Sequence, residues 1–207
     1  ARAQRFRLDG ALAVGRAVEL VAGDDAPSVL TGQWCGVTAV VASAPLTTAH
    51  PGSSPADQLD RLPAVVGGEQ VSVGGGWVGL IGYTGAARVV DPRLGHPPVR
   101  ERLPASALSF YDHVVVRDGD GVWWFEELWT EQRADDLLRR REVMAERLVS
   151  AAATEPAPLP RDSTSGWAAE PSVAGHADAV EACKERIAAG DLYQANLALR
   201  LRARAHA

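Results

Sequence analysis

The chain has 207 residues, 46% hydrophobic and 23% charged, with a formal net charge of −5, the composition of an ordinary globular protein with room for one large domain or one and a half ordinary ones. It contains no apolar run of the roughly 18 residues that a membrane-spanning helix needs. Basic residues are thinly spread, with Arg139, Arg140 and Arg141 the only dense run, which argues against a nucleic-acid backbone as partner.

Asp9 and Gly10 interrupt the basic N-terminal stretch before an apolar segment forms, so no signal peptide is expected. Cys35 and Cys183 lie far apart without CxxC spacing and read as free thiols of a cytoplasmic protein. The first 125 residues read as strands punctuated by Gly and Pro. "SVLTGQW" and "GVTAVVAS" are short apolar runs about a turn, and residues 46–63, rich in Ser, Thr, Pro and Asp, read as a loop.

"EQVSVGGGWVGLIGYTG" follows as a glycine-rich strand. Gly74, Gly76 and Gly79 formally satisfy GxGxxG, yet Gly82 and Gly85 continue the series where a dinucleotide fingerprint needs a helix. A buried strand whose glycines admit close backbone packing is the expectation, with Trp77, Gly79, Ile81 and Tyr83 on one face. "RDGDG" then separates two β-rich runs in "ALSFYDHVVVRDGDGVWWFEEL" and predicts a hairpin. Asp112 and His113, as strand neighbours, are expected on opposite faces, so that Asp112 does not orient His113. Trp123, Trp124 and Trp129 read as core and hairpin rim. His50, His96, His113, His176 and His206 show no metal-ligand spacing.

Ala134, Leu137, Met144, Ala145 and Leu148 recur at helical steps and predict an amphipathic helix over about 131–151, with Thr130 as N-cap. Residues 151–172 are Ala/Pro/Ser-rich and aperiodic, and read as a linker. A second helix follows, with Val180, Cys183 and Ile187 on one face and Gly190 at C′. Alternation from Tyr193 to Leu201 predicts a strand with Tyr193, Ala195, Leu197, Leu199 and Leu201 on one side. Gln194, Asn196, Ala198, Arg200 and Arg202 fall on the other. Gln194 and Asn196 then line a polar site or face solvent; their spacing fits both. The order of elements is α+β, since helices and strands are segregated rather than alternating.

"VEACKERIAAGDLYQANLALRLRARA" resembles the segment that opens the chorismate-binding domain in component I of aminodeoxychorismate synthase and anthranilate synthase. The motif Ile-x-x-Gly-Asp-x-(Tyr/Phe)-Gln-x-Asn-Leu-x-x-Arg is matched at Ile187, Gly190, Asp191, Tyr193, Gln194, Asn196, Leu197 and Arg200. Asn196 is more similar to the aminodeoxychorismate branch than to the anthranilate branch. Upstream, "VLTGQWCGVTAVVASAPL", "GGGWVGLIGYTG" and "FYDHVVVRDGDGVWWFEEL" resemble the family's earlier blocks in the right order.

The resemblance implies an α+β fold with an antiparallel, sandwich-like N-terminal part and flanking helices. It divides the chain into a β-rich domain with its closing helix (1–151), a linker (152–172) and the start of a chorismate-binding domain (173–207). It further implies an enzyme that aminates chorismate at C4 with Mg²⁺ and ammonia from a glutaminase subunit or domain, giving 4-amino-4-deoxychorismate for folate synthesis. Anthranilate or isochorismate-type synthases and a non-catalytic ligand-binding or assembly module are the alternatives. In some relatives the N-terminal part holds tryptophan; Thr31 and Trp34 mark the corresponding stretch, without the serine usual after Leu30. The Pro-Ile-Lys-Gly-Thr segment and the downstream carboxylates of the family do not occur in these residues. No catalytic or metal residue is therefore expected before Ala207, no cofactor is expected within this stretch, and the stretch alone is expected to be inactive. Gln194 and Asn196 then read as framework.

Overall fold

A computed structural model describes residues 1–50, 54–82, 106–156 and 164–205. The chain divides into two compact units, residues 1–156 and 157–207. Tyr83, Gly85, His96 and His206, and the central part of the expected linker, lie outside the described residues.

The first unit is built on a five-stranded sheet. Its strands are β1 (Arg2–Leu8), β2 (Ser28–Trp34), β3 (Val37–Ala42), β7 (His113–Asp118) and β8 (Trp123–Trp129), numbered in chain order, arranged β1-β8-β7-β3-β2 and antiparallel throughout. A second sheet joins β4 (Thr47–Thr48), β5 (Gly76–Ile81) and β6 (Ser106–Tyr111) in the order β4-β6-β5. The expectation of an α+β fold with antiparallel sheets holds.

Alternation along the five strands assigns two cores. Ala39, Val41, Val115, Trp123 and Phe125 face a 3₁₀ segment over Val14–Val21 and a long helix, meeting Leu20, Val21, Met144 and Leu148. Val40, Ala42, Val114 and Val116 face the other way, toward Tyr111 and Val78 of the second sheet. Each side chain removed from water contributes about 1.5–3 kcal/mol for residues of this size, so both faces of the central sheet are anchored.

The expected hairpin forms. Arg117 pairs with Trp123, Gly121 takes φ +88°, and Asp118 Oδ1 accepts the Val122 amide at 2.8 Å. The β-rich run before it is two strands rather than one. Asp112 is a bend at which the chain leaves the second sheet and joins the first. Aspartate is a poor strand former, and here it marks the crossover.

The described residues of 46–63 include regular elements where a loop is expected. Thr47 and Thr48 pair with Phe110 and Ser109, and α1 (Pro55–Leu59) begins with Pro at its first position and Asp57 in its first turn. The strand of the glycine-rich stretch starts at Gly76 and is half-exposed rather than buried. Its glycines do admit close packing: a Cβ on Gly79 would stand 1.9 Å from the Ala107 carbonyl oxygen.

The long helix, α2 (Ala134–Ala153), buries Leu137, Met144 and Leu148. A 3₁₀ turn over Glu131–Arg133 precedes it, and Thr130 gives no side-chain cap. The first turn is held instead by Arg133, whose guanidinium bonds Asp136. Among the aromatic residues of β8, Trp123 is buried with its Nε1–H on the Leu12 carbonyl, while Trp124 and Trp129 lie at the rim.

In the second unit, β9 (Thr164–Glu170) occupies part of the stretch read as linker. It pairs with β10 (Arg200–Ala205), opposite which it supplies the ladder that its sequence alone does not announce. Between them runs α3 (Val173–Ala188), capped by the Ser172 hydroxyl, which accepts the Gly175 amide at 3.1 Å.

Candidate functional site

Gly190, with φ +83°, ends α3 as expected. Its amide bonds the Ile187 carbonyl and the Asp191 amide bonds the Arg186 carbonyl, the paired arrangement of a Schellman cap. Only a residue free to adopt positive φ closes the helix this way. The turn sends Asp191 and Leu192 back along the helix, and Asp191 is exposed.

The alternating strand expected from Tyr193 does not begin there. Pairing starts at Arg200, because only 200–205 lie opposite β9; residues 192–199 have no ladder partner among the described residues. Without that ladder the two-face rule lapses. Ala195, Asn196 and Leu197 together line a cavity of about 410 Å³ against Val180, Cys183, Lys184 and Ile187 of α3. Asn196, itself exposed, is thus brought to an aliphatic helix face, while Tyr193 is 96% exposed and Gln194 is exposed. Arg200 lies 3.9 Å and Arg202 2.7 Å from Glu170 across the strand pair. The cavity against this helix takes in Asn196 and does not include Gln194.

Thr31 and Trp34 lie at the exposed end of the β2–β3 hairpin, where a bulge separates them and Cys35 and Gly36 take positive φ. Trp34 Nε1 donates to the Thr31 carbonyl at 3.3 Å. Cys35 and Cys183 are free thiols.

The glycine-rich stretch is no phosphate loop. The Ser72, Val73 and Gly74 amides converge at 2.8–2.9 Å on the buried carboxylate of Glu126, which Arg5 approaches at 3.3 Å. An anion supplied by the chain itself fills the nest, and Gly79 lies within a strand.

A third constellation corrects the reading of the Asp112–His113 pair. His113 Nδ1 lies 2.9 Å from Asp112 Oδ1, because the bend at Asp112 releases it from strand alternation. Arg133 Nε donates to the other oxygen at 2.9 Å, and the His113 ring stacks on Phe125 at 5.5 Å. Glu127 stands opposite His113 in the ladder; its Oε2 and His113 Nε2 are buried without a hydrogen-bond partner among the described residues. Burial opposes ionisation of Asp112, but the bonds from His113 and Arg133 outweigh it and hold its carboxyl below the ordinary range. Burial pushes Glu127 up, only partly offset by Arg141. An aspartate inside a run of β-formers is the signal that could have disclosed the bend; nothing local marks Arg133 as its partner.

No group of three or more His, Cys, Asp or Glu among the described residues could hold a metal ion. None of the described helices is long and apolar enough to cross a membrane. Fold and site together define an α+β protein in which the segment after a capped helix brings an amide, Asn196, beside an aliphatic cleft. The model of the chorismate binding enzyme family matches residues 9–207, and the chain belongs to that family of chorismate-utilising enzymes. No curated protein matches it.

Proposed function

We propose that these residues belong to component I of an aminodeoxychorismate synthase, a cytoplasmic enzyme that replaces the C4 hydroxyl of chorismate with ammonia to give 4-amino-4-deoxychorismate for folate synthesis. The observation that carries the reading is the family match over residues 9–207. The identity of Asn196 within the Ile187–Arg200 motif favours the amination at C4 over anthranilate formation. A glutaminase partner supplying ammonia, and Mg²⁺, belong to the same proposal.

Magnesium takes oxygen ligands, carboxylates above all. The described residues do not fit it, since they assemble no metal-holding group, and no step is assigned to the ion. The contribution of this chain is framework: the cap at Gly190 turns the chain so that Asn196 meets the Val180, Cys183 and Ile187 face. Loss of a hydroxyl leaving group needs charge stabilisation in place before the reaction, and the lysine and carboxylates that the resemblance assigns to it are not among these residues.

The purified 207-residue chain, given chorismate, ammonium and magnesium, is expected to form no aminated product. The polypeptide of the whole reading frame that holds it is expected to use ammonium directly, and glutamine only when the glutaminase is added. Aminated product from the 207 residues alone would overturn the framework role, and a complete polypeptide that leaves chorismate untouched would overturn the proposal.

A further inference from the structure

The outer side of α2 carries charges that neither the core nor the family reading uses. Arg139, Arg140 and Arg147, with Val143 and Met144 and the carboxylates of Asp24 and Asp136, line a cavity of about 190 Å³. Positions 136, 140, 143 and 147 follow one another at three- and four-residue steps, so they share a stripe of the helix.

Two of these arginines are already matched. Arg147 forks onto Asp24, Nη1 to Oδ2 at 2.7 Å and Nη2 to Oδ1 at 2.9 Å, and Ser43 donates to the same carboxylate. Arg139 pairs with Asp136, which also receives Arg133. Arg140 is half-buried, and among the described residues no carboxylate lies within 4.0 Å of it. It feels Asp24 only at longer range. Among the described residues, the groove therefore keeps a guanidinium, that of Arg140, whose fork no carboxylate engages.

A guanidinium fork matches a carboxylate with two parallel bonds. The cavity is smaller than the roughly 300–1,000 Å³ of sites for drug-sized ligands, which suits a small anion. Val143 and Met144 give it an apolar wall, which suits an organic anion better than a fully hydrated inorganic one. We propose that this groove binds a small carboxylate with a compact apolar body, Arg140 gripping the carboxylate and Val143 and Met144 contacting the body. The inference stands apart from the amination chemistry.

Benzoate is the probe, with acetate and inorganic phosphate at matched ionic strength, titrated into the 207-residue chain by calorimetry and followed on the arginine Nε–H signals. Saturable benzoate binding is expected, at least tenfold tighter than acetate or phosphate, with the Arg140 signal among those that move. Arg140→Gln should weaken it at least tenfold while leaving the unfolding midpoint without benzoate unchanged, since no ion pair is lost. Val143→Asp, at a position 42% exposed, should weaken it too. Absence of saturable binding, phosphate binding as tightly as benzoate, or benzoate affinity retained in Arg140→Gln would each overturn the assignment.

Discussion

Asp112 keeps its charge under burial because two donors face it, His113 Nδ1 and Arg133 Nε, each at 2.9 Å. Asp112→Asn should cost about 2–3 kcal/mol at neutral pH, the scale of hydrogen bonds to a charged group, read from urea unfolding. Its folded-state acidity is raised, so its contribution is full above the ordinary carboxylate range and is lost as pH falls through the depressed folded value. Glu127 runs the other way. With its folded value pushed up by burial, stability falls as pH rises from the ordinary carboxylate range through that raised value. Glu127→Gln should remove this fall, gaining on the wild type as pH rises across that window; a variant whose stability tracks the wild type at every pH would contradict the assignment.

At the scale of elements, the β-sheet depends on positions where a side chain has no room. Gly79 lies in β5 against the Ala107 carbonyl. Gly79→Ala should separate β5 from β6 and cost about 1–3 kcal/mol, as overpacking does; thermal unfolding unchanged within error would count against the close approach. The hairpin at Asp118, the helix around Leu137, Met144 and Leu148, and the cap at Gly190 were legible in the sequence because each depends on local chemistry: turn residues, helical spacing, a positive φ. What was not legible depends on partners distant in sequence. Thr164–Glu170 is a strand only because Arg200–Ala205 lies beside it, and Tyr193–Leu199, alternating as a strand should, is none because no strand among the described residues pairs with it. The site followed the same division. The Gly190 turn could be read directly, whereas the convergence of Asn196 on α3 and of Ser72–Gly74 on Glu126 required the fold.

For the whole molecule, two sheets and a helix give the first unit cores on both faces of its central sheet. The second unit pairs two strands about a capped helix, no residue of which is buried. Family membership across residues 9–207 ties the chain to chorismate; the position at which chorismate is aminated is the central claim of the function proposed. The most direct test incubates the polypeptide of the complete reading frame with chorismate, ammonium and magnesium and identifies the product by mass and by chromatography against standards. The expected product is 4-amino-4-deoxychorismate; anthranilate or isochorismate in its place would contradict amination at C4.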